Sequence, residues 1–332
     1  MGRKPSGSET GPVSDAARSG PLRYRRVVGL GLCVVDHLYV VERLHWTETR
    51  LRYTEHCVSS GGMTGTALAQ AARLGCDAHV LSAVGDDDGG RLVSRSLRAA
   101  GVKTGRLVRS RDLPTTIAVV LVARRGGGRR FLVPDRRALE RRAPDFDLKL
   151  IDARTLLLVD GHFPAQALRA VERARAMGGA VVGDFARLGP EIRALLPFVD
   201  YPVVPLEFAE AYGAGDPRRA LHRLRERYGG TPVVTQGARG GLYWHEGRIR
   251  RFRVHRVKVR DTTGAGDVFH GALAAGLCAG RDLPAALDLA ARAAALNCTA
   301  LGATGRLMTL AEMRRAARNR REPPSKAKRA RR

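Results

Sequence analysis

Between residues 155 and 235, short apolar runs alternate with longer amphipathic ones, and this rhythm sets the tightest limit on the fold. The runs Thr155–Val159, Ala180–Asp184, Tyr201–Val204 and Pro232–Thr235 are brief and rich in β-branched residues, which predicts strands. The intervening stretches Ala165–Met177, Pro190–Leu196, Leu206–Tyr212 and Pro217–Tyr228 carry apolar residues at helical spacing. Strands joined through helices pair in parallel, and a parallel sheet has to be covered by helices on both faces. The expected class is α/β, three layers deep, around a mainly parallel central sheet.

The first part of the chain joins this pattern and then departs from it. A strand is expected at Arg26–Val35, with a second apolar region near Leu38–Val41. Ser60-Gly61-Gly62 reads as a tight turn before a helix at Thr64–Leu74 that stops at Gly75. A strand at His79–Val84 and a helix at Gly89–Ala100 follow. The β-rich pieces at about 36–58 and 105–135 interrupt the rhythm and are expected to form a small accessory sheet. After an expected strand at Phe252–Val259, helices are expected at Ala265–Ala279, Leu283–Ala300 and Thr309–Ala317. Residues 23–317 then make one folded body, between a Gly/Ser/Pro-rich tail at 1–22 and a basic tail at 318–332.

Charge and cysteine content narrow the functional class. The formal net charge is +26, which raises the possibility of nucleic-acid binding through counterion release. Residues 314–332 hold ten Lys/Arg against the single acid Glu322, and aromatic residues make up only 5% of the chain. Basic tails without stacking rings argue against a nucleic-acid interface. The cysteines Cys33, Cys57, Cys76, Cys278 and Cys298 form no CxxC pair, so neither a zinc site nor a disulfide framework is expected, and a reducing cytoplasm is. No apolar run is long enough for a membrane span, and the polar first twenty residues lack a secretory h-region. The myristoylation pattern at Met1–Ser6 and the glycosylation pattern at Asn297–Thr299 are read as chance.

The chemistry centres on Asp261-Thr-Thr-Gly-Ala-Gly-Asp267. It opens a helix, where the first N–H groups have no intrahelical acceptor and form an anion site. Gly264, Ala265 and Gly266 leave that site uncovered. Asp267, in the first helical turn, can take a proton from a hydroxyl while the N–H groups stabilise a transferring phosphoryl group. A bare N-capped helix is the weaker reading of so specific a block. No GxxxxGK[ST] is present, and Gly29-Leu-Gly31 lacks the third glycine of a dinucleotide fingerprint, Val34 standing there.

Asp261–Leu273 resembles the ATP-site signature of the ribokinase-like (PfkB) carbohydrate kinases. Gly61–Gly75 is similar to the family's Gly-Gly sugar segment, Val84–Gly89 to a third motif, and Val233–Gly240 to its nucleotide strand and loop. The resemblance implies a ribokinase-like α/β/α fold with a β-sheet lid that excludes water. It implies Asp267 as base and Gly264, Ala265 and Gly266 as the anion hole. Asp36, expected at the end of the first strand, would bind sugar hydroxyls with Gly61, Gly62 and Thr66. Thr235, Gly237 and Gly240 would lie along ATP, and Asn297 and Gly302 would line the adenine pocket and a monovalent-cation loop. Asp261 and the Thr263 carbonyl would face that cation, K+, and Glu207 would face Mg2+. A small sugar is the implied substrate and a homodimer through the lid the implied assembly.

Three positions depart from the family pattern: Val34, Thr66 and Val204 stand where asparagines are common. The first two put ribose itself in doubt. His270-Gly-Ala-Leu273 and Ala295–Thr299 are similar to a branch acting on sulfofructose. An acidic sugar needs a fixed cation, for which Arg50, Arg52, Arg129 and Arg130 are the candidates near the lid. A nucleoside kinase of the same fold, or a binding protein using the basic tails, are the alternatives.

Overall fold

The computed structural model describes residues 24–318, apart from 45–48, 126–127, 136–139 and 141. The expected tails at 1–22 and beyond 318 lie outside the described residues. Nine strands build one sheet: β1 (Arg26–Leu30), β4 (Asp77–Gly85), β5 (Leu107–Ser110), β8 (Thr155–Val159), β9 (Ala180–Asp184), β10 (Tyr201–Pro205), β11 (Val233–Thr235), β12 (Gly241–His245) and β13 (Arg248–Phe252). Their order is β13-β12-β11-β10-β9-β8-β1-β4-β5. All pairings are parallel except the β11–β12–β13 meander at one edge.

The central strands are apolar at successive positions because both faces are covered. Val27, Leu156, Leu158, Val182, Val203 and Val233 point into one core with α1 (Met63–Arg73), α2 (Asp88–Ala99), α7 (Ala265–Cys278), α8 (Leu283–Asn297) and α9 (Leu310–Arg318). Their neighbours Val28, Leu157, Val159, Val181, Val204 and Val234 point into the other. That second core is closed by α3 (Pro164–Met177), α4 (Pro190–Leu195), α5 (Leu206–Gly213) and α6 (Pro217–Tyr228). Alternation along each strand sends one residue up and the next down.

The lid is a separate sheet in the order β3-β2-β6-β7, from β2 (Val34–Val41), β3 (Tyr53–Gly61), β6 (Ile117–Ala123) and β7 (Arg129–Leu132). Three expectations change here. The strand expected at Arg26–Val35 is two strands, because the Asp160 carboxylate takes the Leu32 N–H at 2.8 Å and diverts the chain out of the main sheet. A Cβ on Gly31 would lie 2.2 Å from that carboxylate, so glycine is required at the exit. Asp36 consequently sits within the first lid strand, not at the end of a core strand. Residues 107–110, expected in the lid, pair with β4 at the edge of the main sheet. The strand expected at Phe252–Val259 makes no ladder beyond Phe252. Its place is taken by the β12–β13 hairpin, whose turn uses positive φ at Glu246 (49°) and Gly247 (75°), the two-residue geometry that suits strand twist.

The family-like motif at Val84–Gly89 proves to be a joint between sheet and lid. Asp87 caps α2 through Gly90 N (2.8 Å) and also receives Thr115 N (2.9 Å) and Thr115 Oγ1 (2.6 Å), just before β6. Burial works to raise the Asp87 pKa, but the bonds from Thr115 and Gly90 outweigh it and hold the carboxyl below its usual value.

Candidate active site

The site lies along the carboxyl ends of the parallel strands, where helix N-termini and strand ends converge. α7 begins beside it. Its N-cap Gly264 has φ 72°, and a Cβ there would come within 2.6 Å of Ala303 Cα. Glycine is therefore needed both for the backbone and for the close approach. Among the described residues, the N–H groups of Gly266 and Asp267 have no backbone acceptor. Gly266 is exposed and Ala265 is half-buried, so the turn expected to bind an anion faces open space.

The carboxylate of Asp267, in the first turn of α7, has no hydrogen bond among the described residues. Part of it remains open to solvent, yet the surrounding chain and charges hold its pKa well above the carboxylate range. Burial is the largest cause, followed by the charge of Asp184, with Asp36 and Asp160 adding to it and His270 opposing. Asp184 ends β9, is 5% exposed, and its Oδ2 has no hydrogen-bond partner among the described residues. Burial, then the Asp160 charge, pushes its pKa well up. His270 lies one turn along α7, its Nδ1 2.7 Å from the Gly266 carbonyl and 3.2 Å from Asp184 Oδ2. Burial lowers the His270 pKa, and Nε2 lies 3.4 Å from the Val203 carbonyl. The shorter contact assigns its proton to Nδ1, donating to Gly266 O.

Asp160, directly after β8, is saturated instead. It accepts Leu32 N, Thr64 N and Thr64 Oγ1 on Oδ2, and His162 N on Oδ1. It is a structural knot tying the lid entry to α1.

Asp36 comes down from the lid. It is 5% exposed, and its carboxylate has no hydrogen bond among the described residues. Burial, then the nearby Asp261, raises its pKa to about 6. A Cβ on Gly61 would stand 1.9 Å from Asp36 Oδ2, so Gly61 makes room for the carboxylate. Gly62 has φ 89° and caps α1, with a hypothetical Cβ 2.5 Å from Leu32 O. Thr66 is fully buried in α1, and its hydroxyl has no partner among the described residues.

At the far end of the same edge, β11 runs into the loop expected to hold nucleotide. Gln236 N donates to Gly240 O at 2.7 Å and Gly240 N to Gly237 O at 3.1 Å, closing a tight turn. Gly237 is exposed with φ 54°, and Gly240 has φ 85° with a hypothetical Cβ 2.2 Å from Phe252 O. Thr235 is half-buried beside it.

Two expected ligand positions look inward. Asn297 is fully buried, and its side-chain bonds go to Thr263 O, Ala303 O and Arg306 N. Gly302 N donates to Asp261 Oδ2 at 2.8 Å. Asp261 Oδ1 is likewise taken by Thr263 N (2.9 Å) and Oγ1 (2.8 Å). The Thr263 carbonyl expected to face a monovalent cation faces the Asn297 NH2 instead, and Asp261 takes three donors from this chain, an arrangement that does not suit a cation there. Glu207 is exposed in the first turn of α5, with no ion pair among the described residues. No cluster of three or more His, Cys, Asp or Glu able to hold a metal occurs among them. Arg50, Arg52, Arg129 and Arg130 are all exposed.

Residues 25–310 match the family model described as pfkB family carbohydrate kinase. The chain belongs to this family. Mouse (Mus musculus) ribokinase is 27% identical over 75% of this chain and 80% of its own length. The 2-dehydro-3-deoxygluconokinase of Thermoproteus tenax is 32% identical over 68% and 75%. The crystal structure of ribokinase from Cryptococcus neoformans var. grubii in complex with ADP superimposes with a TM-score of 0.74 at 22% identity, covering 88% of this chain and 99% of that one. The protein is a carbohydrate kinase with the ribokinase fold. No helix among the described residues is long and apolar enough to cross a membrane.

The signature and the Gly-Gly segment were legible in sequence, but Asp160, Asp184 and the role of His270 were missed. Their signal was an acidic residue at the end of an apolar parallel strand (Asp160 after Val159, Asp184 after Gly183). Polar residues at carboxyl strand ends deserved the same weight as the glycines.

Proposed function

We propose that the protein transfers the γ-phosphoryl group of ATP to a hydroxyl of a small sugar or sugar derivative, with Asp267 as general base. The unpartnered Asp267 carboxylate beside the free N–H groups of the α7 turn carries this reading. The sugar hydroxyl oxygen attacks the γ-phosphorus, the bond to the β-phosphate oxygen breaks, the hydroxyl proton passes to Asp267, and ADP leaves. The crowding of Asp267 by other acidic groups favours proton uptake at the moment of attack. The turn at Gly264, Ala265 and Gly266 stabilises charge on the transferring group. Mg2+ bound with ATP neutralises phosphate charge, and Glu207 is the exposed carboxylate that would face it. Thr235, Gly237 and Gly240 would cradle the nucleotide.

Asp36, with Gly61 and Gly62, would bind the acceptor. An unpartnered carboxylate is a natural acceptor for sugar hydroxyls. The relatives are named for ribose and for 2-dehydro-3-deoxygluconate, so a pentose or a keto-deoxy acid is the first acceptor to try, followed by hexoses, nucleosides and sulfosugars. The lid's outer face carries Val58, Ile117 and Leu132, each at least 42% exposed, and this apolar patch suits pairing with a second copy. ADP formation across that acceptor panel is the test. A chain that releases no ADP with any acceptor, while still binding ATP, would overturn the reading.

A further inference from the structure

Asn297 ends α8 with no exposed surface. Its amide nitrogen lies 3.1 Å from Ala303 O and 3.3 Å from Thr263 O. An amide NH2 has two hydrogens, so it serves one carbonyl with each. Its Oδ1 is held in turn by Arg306 N at 3.2 Å, which fixes the orientation: reversing the amide would set oxygen against two carbonyls and NH2 against an N–H. The neighbouring Asp261 carboxylate accepts Thr263 N and Oγ1 on one oxygen and Gly302 N on the other, so three of its bonds already come from this chain. Gly264 packs close to Ala303, where a Cβ on Gly264 would lie 2.6 Å from Ala303 Cα.

A bare monovalent cation is held by carbonyl and carboxylate oxygens that replace its water shell. Here the Thr263 and Ala303 carbonyls are bridged by the Asn297 NH2. We propose that the Asn297 amide does the work of a monovalent cation, joining the Thr263 carbonyl, and with it the anion-binding turn, to the 298–306 loop, so that this kinase neither binds nor needs K+. The inference takes from the proposed function only the placing of the anion hole at that turn, and ion binding can be measured without turnover.

The experiment is thermal unfolding of the full chain in KCl, NaCl and tetramethylammonium chloride at equal ionic strength. The same Tm is expected in all three. Asn297→Asp places a carboxylate where the NH2 stood, against the same two carbonyls, and Asn297→Ala removes the bridge. Both variants should be destabilised in tetramethylammonium and partly rescued by K+. A K+-specific rise in the Tm of the unaltered protein overturns the proposal, as does a folded Asn297→Asp that ignores K+. Should both variants fail to fold in every salt, the unaltered protein alone decides. Once an acceptor is known, its ADP formation should run at equal rates in K+ and tetramethylammonium, and a severalfold K+ activation would again overturn the proposal. If no acceptor turns over, the kinase reading fails while the unfolding result still stands.

Discussion

His270 Nδ1 stands 2.7 Å from the Gly266 carbonyl and 3.2 Å from Asp184 Oδ2, which links the anion-binding turn of α7 to the end of β9. We predict that the ring positions the turn. His270→Ala should free the Gly266 carbonyl and lower kcat by about tenfold, the scale of one buried hydrogen bond, with little change in the acceptor KM. His270→Asn, which can still donate to Gly266, should recover part of the loss. Equal loss in both variants, or loss confined to KM, would refute the tether.

Asp184 raises the pKa of Asp267 by charge. The base works deprotonated, so removing that charge should move the acid limb of the rate profile to lower pH. Asp184→Asn preserves the shape and is expected to shift the limb in this direction. A limb that stays in place, or moves upward, counts against the coupling.

Loss of the base itself should be severe. Asp267→Asn is expected to reduce kcat by about 10²–10⁴-fold, the range for a general base, while calorimetric ATP affinity stays close to that of the unaltered protein. Near-normal turnover would remove Asp267 from its role.

Asp36 titrates near pH 6, and two consequences follow with opposite signs. In its proposed role the ionised form accepts sugar hydroxyl bonds, so the acceptor KM should rise as pH falls through about 6, and Asp36→Asn should abolish that dependence. For stability, a carboxyl raised above its unfolded value favours the fold below the unfolded pKa, and this contribution is lost as pH rises through about 6. Asp36→Asn should therefore raise Tm at neutral pH while weakening acceptor binding, a trade of stability for function. Gly61→Ala, which would press on the same carboxylate, should raise the acceptor KM and leave ATP binding unchanged.

The Asp87 knot is structural. Asp87→Ala removes a helix cap and leaves Thr115 without its acceptor, a loss of about 2–4 kcal/mol and roughly 5–10 °C in Tm. Because the Asp87 pKa is lowered, its contribution is present above the unfolded value and lost as pH falls through the folded one. The stability gap between Asp87→Ala and the unaltered protein should therefore close in acid. A gap that persists there would contradict this.

Strands β8 and β9 and helix α6 were legible to the residue, because a doubly covered strand and an amphipathic helix each write their period into the chain. The Gly264–Asp267 turn was legible because glycines beside an acid at a helix start are chemically unusual. The division of Arg26–Val35 was not legible, since the apolar run is continuous and the break is made by Asp160, more than a hundred residues away. The edge strand β5 has only four residues, and nothing local says which sheet accepts it.

The sequence by itself determined the layered α/β class and the glycine turn at the start of α7 with Asp267, the proposed base, beside it, because those depend on local period and on residues adjacent in the chain. Tertiary structure alone decided that Asp184 and His270 stand at that base, that Asp36 enters from the lid over Gly61, and that Asn297 closes the loop behind the turn. Each of these depends on which distant strand ends and loops meet at one edge of the sheet. Burial and the neighbouring carboxylates created by that meeting, not residue type, set how the acids there behave.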